Sequence, residues 1–156
     1  MKEQNIKTFQ DACNALGIGA PEALPELLQP QNDNIVPSHI KALLKLEIIA
    51  NALNDGWQWI PDDRTRGWWP WFWFYTKREV ETMSEEDKKR INLKDARNIT
   101  NGYSGVGFAH PNNAWSISSA HIGSRLACKN SEIAEYFGTQ FIDLWMEYLM
   151  IPIVAR

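Results

Sequence analysis

Positive charge is in short supply in this 156-residue chain: 16 Lys and Arg stand against 19 Asp and Glu, for a formal net charge of −3. A duplex-binding protein usually carries a basic stripe that releases counterions from phosphates. The balance here disfavours nucleic acid as a partner, a local basic patch aside. No run approaches the roughly 18 apolar residues that a membrane-spanning helix needs, so no membrane association is expected. The opening residues, MKEQNIKTFQDAC, lack the apolar stretch of a secretory signal. Cysteine is scarce too, with only Cys13 and Cys128. In a chain read as cytoplasmic, both are expected to be reduced, buried thiols.

Signatures of chemistry are equally thin. The metal-ligating set is Cys13, His39, His110, His121 and Cys128, with no C-x-x-C and no H-x-x-x-H spacing, so no metal is expected. No G-x-S-x-G elbow exists, and Ser118, Ser119 and His121 lie too close in sequence to argue a triad. Arg125 and Lys129 flank Cys128 and would lower a thiol pKa, but strand alternation points Cys128 and Lys129 to opposite faces. Tyr103-Ser104-Gly105-Val106-Gly107 lacks the third glycine and following helix of a phosphate cradle. No cofactor is implied, no catalytic residue is assigned, and the chain reads as a non-enzyme.

What is present is enough apolar material to fold, 44% hydrophobic against 22% charged residues, in a length suited to one domain over 1–156. Thr8 is placed to cap a short helix with Phe9, Ala12, Cys13 and Leu16 on one stripe and Gly17 as its stop. A second short helix is expected over 21–28 and a loop from Pro30 through Asn34, which completes an N-terminal helical segment over 1–36. Ser38 to Asn54 reads as a helix with Ser38 as cap and Gly56 as terminator. Leu43, Leu46, Ile49, Ala50 and Leu53 form its broad apolar face, and Leu44, Ile48 and Ala52 a second stripe. That second stripe must be covered by the chain itself or by a partner.

Six of the eight tryptophans fall between Trp57 and Trp73. Trp57-Gln58-Trp59 alternates as a strand does, and a second strand is expected over Trp68–Tyr75. Alternation there puts Trp69, Trp71, Trp73 and Tyr75 on one face and Trp68, Pro70, Phe72 and Phe74 on the other. Pro70 cannot donate to a ladder, so the strand either begins near it or lies at a sheet edge. The region 76–98 carries seven positive and six negative side chains and reads as a solvated polar excursion, dispensable over 82–92. Strands are expected at 106–110, 114–119 and 124–129, with a turn at Pro111-Asn112-Asn113. A long amphipathic helix over 132–150, capped by Asn130 or Ser131, closes the chain with Ile133, Phe137, Phe141, Leu144, Trp145 and Tyr148 on one arc. The fold class is α+β: N-terminal helices, an aromatic-rich antiparallel meander, and a long C-terminal amphipathic helix packed on the sheet.

Gly123-Ser124-Arg125-Leu126-Ala127-Cys128-Lys129, then Ser131-Glu132, Ala134-Glu135-Tyr136 and Gln140-Phe141, resembles the tail of a family of small uncharacterised proteins of gut Bacteroidetes and their phages or prophages. The helix ending Ala52-Leu53-Asn54-Asp55-Gly56-Trp57 and the Pro70-Trp71-Phe72 step are similar as well, so the likeness covers most of 38–150. Ala127 departs from the bulkier residue usual there, and 76–98 has the character of a variable insertion. The resemblance implies a phage-related setting and carries over no catalytic residue.

Two functions follow. The first is a structural or accessory protein, in the host cytoplasm or the virion, acting through contact with an unidentified protein or a second copy of itself, with Leu44, Ile48 and Ala52 as interface. The second is a tryptophan-based module for single-stranded nucleic acid or glycan, with Trp57, Trp59 and Trp68 reaching the surface beside Arg64 and Arg66. Trp71 and Phe141 are expected in the core, and the aromatic strand is expected to be sequestered beneath the closing helix.

Overall fold

Local signals start most of the elements in the computed structural model, which describes residues 5–60, 62, 64–96, 104–115 and 124–150. Helix α1, Phe9–Ala15, begins with a reciprocal capping box: the Asp11 N–H donates to the Thr8 hydroxyl at 3.1 Å, and the Thr8 N–H donates to the Asp11 carboxylate at 2.8 Å. Bonds to the carboxylate itself, from the Thr8 side chain first and then from the Lys7 and Thr8 backbone N–H groups, hold the Asp11 carboxyl below its ordinary pKa. Gly17 follows with φ +72°, the left-handed stop the sequence called for. The expected helix over 21–28 is instead two 3-10 turns, Pro21–Ala23 and Glu26–Leu28. Pro25 between them offers no N–H and disfavours helical geometry in the residue before it.

Helix α2, Ser38–Asn54, has the bounds read from the sequence, but Ser38 is its first residue and Pro37 precedes it without a side-chain cap. It ends through Asp55 at φ 48° and Gly56 at φ 84°. This helix lies between α1 and the last helix of the chain, so both of its apolar sides meet the chain itself. Leu46, Ile49, Ala50 and Leu53 are fully buried, and Ile48 and Ala52 of the second stripe are buried as well.

The sheet is antiparallel and three-stranded, in the order β1-β3-β2. Strand β1 is Arg66–Tyr75, β2 is Lys94–Asp95 and β3 is Gly105–Trp115. The turn expected at 111–113 is absent: β3 runs straight through, with Pro111 opposite Pro70. Trp68, two residues earlier on β1, exchanges backbone bonds of 3.0 and 2.8 Å with Cys128, away from β3. Pro70 shares that orientation, so its missing N–H costs the ladder nothing, and β1 is an edge strand as its proline required. The predicted strand over 124–129 is a 3-10 turn, Ser124–Leu126, followed by this single bridge at Cys128. Trp57–Ile60 is coil rather than a strand. The part of the 114–119 strand beyond Trp115 lies outside the described residues, as do Ser118, Ser119 and His121.

The polar excursion is built into the fold. It forms α3, Lys77–Thr82, and α4, Glu85–Arg90, before supplying β2. Ile91, Leu93 and Val80 seat themselves over the bare backbone of Gly105 and Gly107, where an added Cβ would come within 2.8–2.9 Å of them. Asn92 donates to the Thr139 carbonyl at 2.9 Å, and the Phe108 N–H donates to the Ile91 carbonyl at 2.8 Å. The charge count is balanced because the helices face water, while three apolar side chains hold the segment down.

The closing helix is two helices, α5 Ser131–Gln140 and α6 Ile142–Leu149, separated by Phe141 at φ −110°, ψ 26°. Asn130 is the cap, accepting from the Ile133 N–H at 2.9 Å. The break lets α5 lie across β1 and β3 while α6 turns onto α2. Phe137, Phe141 and Trp145 remain buried on both sides of it. Trp145 sits at the centre, its ring 5.0 Å from Phe137 and 5.4 Å from Phe72.

Gly138 sets how close α5 approaches the sheet, since a Cβ there would stand 2.5 Å from Pro70 Cβ and 2.7 Å from the Phe108 ring. Gly138→Ala is therefore expected to lower stability by about 1–3 kcal/mol in urea unfolding, as overpacking of a dense core does. A change under about 0.5 kcal/mol would show that the helix does not press on the sheet as described.

Candidate functional site

Strand β1 has more aromatic surface than the helices can cover. Its Trp68, Pro70, Phe72 and Phe74 set faces α5 and α6, through Pro70 against Gly138 and Phe72 against Trp145. The register is adjusted for this by a bulge in β3: Trp71 pairs with His110 but Phe72 pairs with Phe108, which leaves Ala109 as an extra residue. Without it, Phe108 and Val106 would turn to the opposite face. With it, both are buried under the helices.

The other face, Trp69, Trp71, Trp73 and Tyr75, is covered only at its ends. Trp59 packs edge-on against Trp69 with ring centroids 4.9 Å apart, and Trp69 is 6% exposed. At the far end Ile91 and Tyr75 close over Gly107. Between them Trp71 is 38% and Trp73 54% exposed. His110 stacks beside Trp71, with centroids 6.5 Å apart and planes inclined by 23°. The cross-strand partners of Trp69, Trp71 and Trp73 are Asn112, His110 and Gly107, none of them a lysine, arginine or carboxylate.

This reverses part of the sequence reading. Trp71 is not core, whereas Phe141 is. Trp57, Trp59 and Trp68, expected at the surface, are half-buried. Arg66 opens β1 on the Trp68 side, and Arg64 sits in the bend before it, its N–H bound to the Asp62 carboxylate at 2.9 Å. Neither belongs to the open strip. Ile48 and Ala52 are enclosed by the chain's own core and Leu44 is half-buried against it, so the second stripe of α2 presents no free interface. The aromatic strand is covered on its helix face as far as Phe72, with Phe74 37% exposed at its end, and is open in the middle of the other face.

A separate crevice of about 250 Å³ lies where α2 ends. Trp57, Trp59, Asn51, Gln58 and Arg125 line it, over a floor of the buried Asn54 and Ala127. Asn54 is only 4% exposed; its Nδ2 donates to the Ala127 carbonyl at 2.7 Å, and its Oδ1 accepts from the Lys129 N–H at 3.0 Å. The floor is thus fixed by a buried amide whose Nδ2 and Oδ1 each have a backbone partner. Arg125 reaches Glu47 at 3.5 Å and is 79% exposed. A second crevice, about 450 Å³, runs between α1 and the end of α2 and shares Asn51 as a wall. Trp57 and Trp59 are among the binding candidates read from the sequence; no motif marked Asn51, Asn54, Gln58 or Arg125 beside them.

Cys128 is fully enclosed, and burial pushes its thiol well above the ordinary range, so the neighbouring Arg125 and Lys129 do not activate it. Cys13 is also buried and shifted upward by desolvation. Among the described residues no group of three or more His, Cys, Asp and Glu is placed to hold a metal, and no helix is long and apolar enough to cross a membrane. Compared with known proteins, the chain matches no family model, no curated protein and no solved structure.

The two faces of β1 predict a sharp contrast in one strand. Trp69→Ala is expected to cost about 3–5 kcal/mol in urea unfolding, as truncating a buried indole does. Trp73→Ala is expected to cost under about 1 kcal/mol. Equal losses at both positions would mean that Trp73 is covered.

Proposed function

We propose that this chain is a non-enzymatic accessory protein that works by protein contact, and that the strip of Trp71, Trp73 and His110 is its contact surface. The observation that carries this reading is the pair of large indoles, Trp71 and Trp73, left exposed side by side on the face of β1 that the helices do not cover. Exposed tryptophan is costly to solubility and is enriched at interaction sites, whose centres are rich in aromatic rings and poor in charge. The strip fits that description. Single-stranded nucleic acid fits it less well, since base-stacking platforms come with cations that follow the phosphates. The reading moves the expected interface from α2 to the sheet. The setting we propose is a phage or prophage of a gut bacterium, in the host cytoplasm or the virion; the resemblance of the 123–141 tail supports it.

The test uses the double variant Trp71→Ser/Trp73→Ser, checked for an unchanged circular dichroism spectrum and urea midpoint. A protein captured by the wild-type chain from phage-bearing cells is purified and titrated against both forms. Saturable binding that weakens about thirtyfold or more in the variant, the effect of losing a hot spot, is the expected result. Equal affinity for the two forms would remove the strip from the interface.

A further inference from the structure

The two crevices that share Asn51 have a chemistry the aromatic strip lacks. The strip is dominated by the two indoles of Trp71 and Trp73, whereas the crevices are lined by amides. Asn51 and Gln58 project exposed side chains at the smaller one, and Asn5 and Asn14 line the larger. Each amide offers both a donor pair and an acceptor, the complement of a hydroxyl group. The walls at Trp57 and Trp59 add indole surface. The Trp59 ring is held by Trp69, and the Trp57 backbone N–H donates to the Asn54 carbonyl at 3.0 Å, so the chain that carries both indoles is already in place before binding.

Charge narrows the choice of ligand. Arg125 is the cation of the smaller crevice, and Glu47 at 3.5 Å balances it. Asp11 and Asp55 line the larger crevice, which would repel a phosphate backbone. A phosphate-bearing chain therefore meets no net positive surface. A neutral, hydroxyl-rich ring meets amides on its edge and indole on its face.

We propose that this pair of crevices is a binding cleft for a neutral oligosaccharide, one sugar ring lodging between Trp57, Trp59 and Asn51 and the next rings extending past Asn51 towards Asn14. The volumes, about 250 and 450 Å³, suit a short glycan end rather than a deep small-molecule pocket. The site does not depend on the contact strip, since Trp71 and Trp73 take no part in it.

The test is a titration of ¹⁵N-labelled protein, followed by NMR, with maltotriose, cellotriose, chitotriose and their monosaccharides, and with an eight-nucleotide oligothymidylate as the competing ligand. At least one trisaccharide is expected to shift the Trp57 indole N–H and the Asn51 and Gln58 side-chain amide signals saturably. Its midpoint is expected at about 1 mM or below, and about tenfold tighter than that of its monosaccharide. Asn51→Ala, an exposed helical position where alanine is well tolerated, is expected to weaken binding about tenfold or more, whereas Trp73→Ala leaves it unchanged. The inference is overturned by any of three results: no saturable shift from these sugars up to about 10 mM, stronger binding of the oligonucleotide, or an affinity indifferent to Asn51→Ala. None of these bears on whether Trp71 and Trp73 contact a protein.

Discussion

Strand β1 carries bulky rings on both of its faces, and the chain has one helical layer with which to cover them. Most of the remaining architecture answers that imbalance. The helix face is closed tightly: Gly138 lets α5 approach until Pro70 and Phe108 touch its backbone, and Trp145 fills the space behind Phe72. The bulge at Ala109 directs Phe108 and Val106 to the same side. Dense interdigitation of this kind leaves no room for a shift of the sheet against the helices. The second face is closed from its ends, by Trp59 on Trp69 and by Ile91 near Tyr75, and the middle stays open.

The edge of the sheet is held by a different device. Asn54 is the one buried polar residue of the described core, and it grips the backbone on either side of Cys128. Cys128 in turn bonds to Trp68 on the outer edge of β1. A buried amide satisfied on both sides specifies one arrangement, because any slip would strand its donor and acceptor away from water. The same amide forms the floor of the smaller crevice. The element that joins helix to sheet therefore also gives that crevice a rigid base.

Much of the fold is legible in the sequence where local chemistry decides. Thr8, and Asn130 or Ser131, read as caps because their oxygens suit the first exposed N–H groups, and α2 reads with its true bounds because Pro37 and Gly56 punctuate it. What escapes the reading is set by distant partners. Nothing local shows that 76–96 docks, because the signal is three apolar residues meeting two glycines on another strand. The break at Phe141 is invisible for a similar reason, since Phe137, Phe141 and Trp145 keep helical spacing through it while the two halves pack on different layers. Alternation separates the rings of β1 into two sets correctly, yet cannot say which set the helices take. For that reason Trp71 reads as core although it is exposed, while Trp57, Trp59 and Trp68, read as surface, are half-buried.

The functional account rests on the asymmetry of that strand. It is tested most directly by labelling the tryptophans with 5-fluorotryptophan and following their ¹⁹F signals as a soluble nitroxide is added. Selective broadening of Trp71 and Trp73, with Trp69 and Trp145 protected, is the predicted result. Protection of all four, or broadening of Trp145, would contradict the division of the strand into a covered face and an open one.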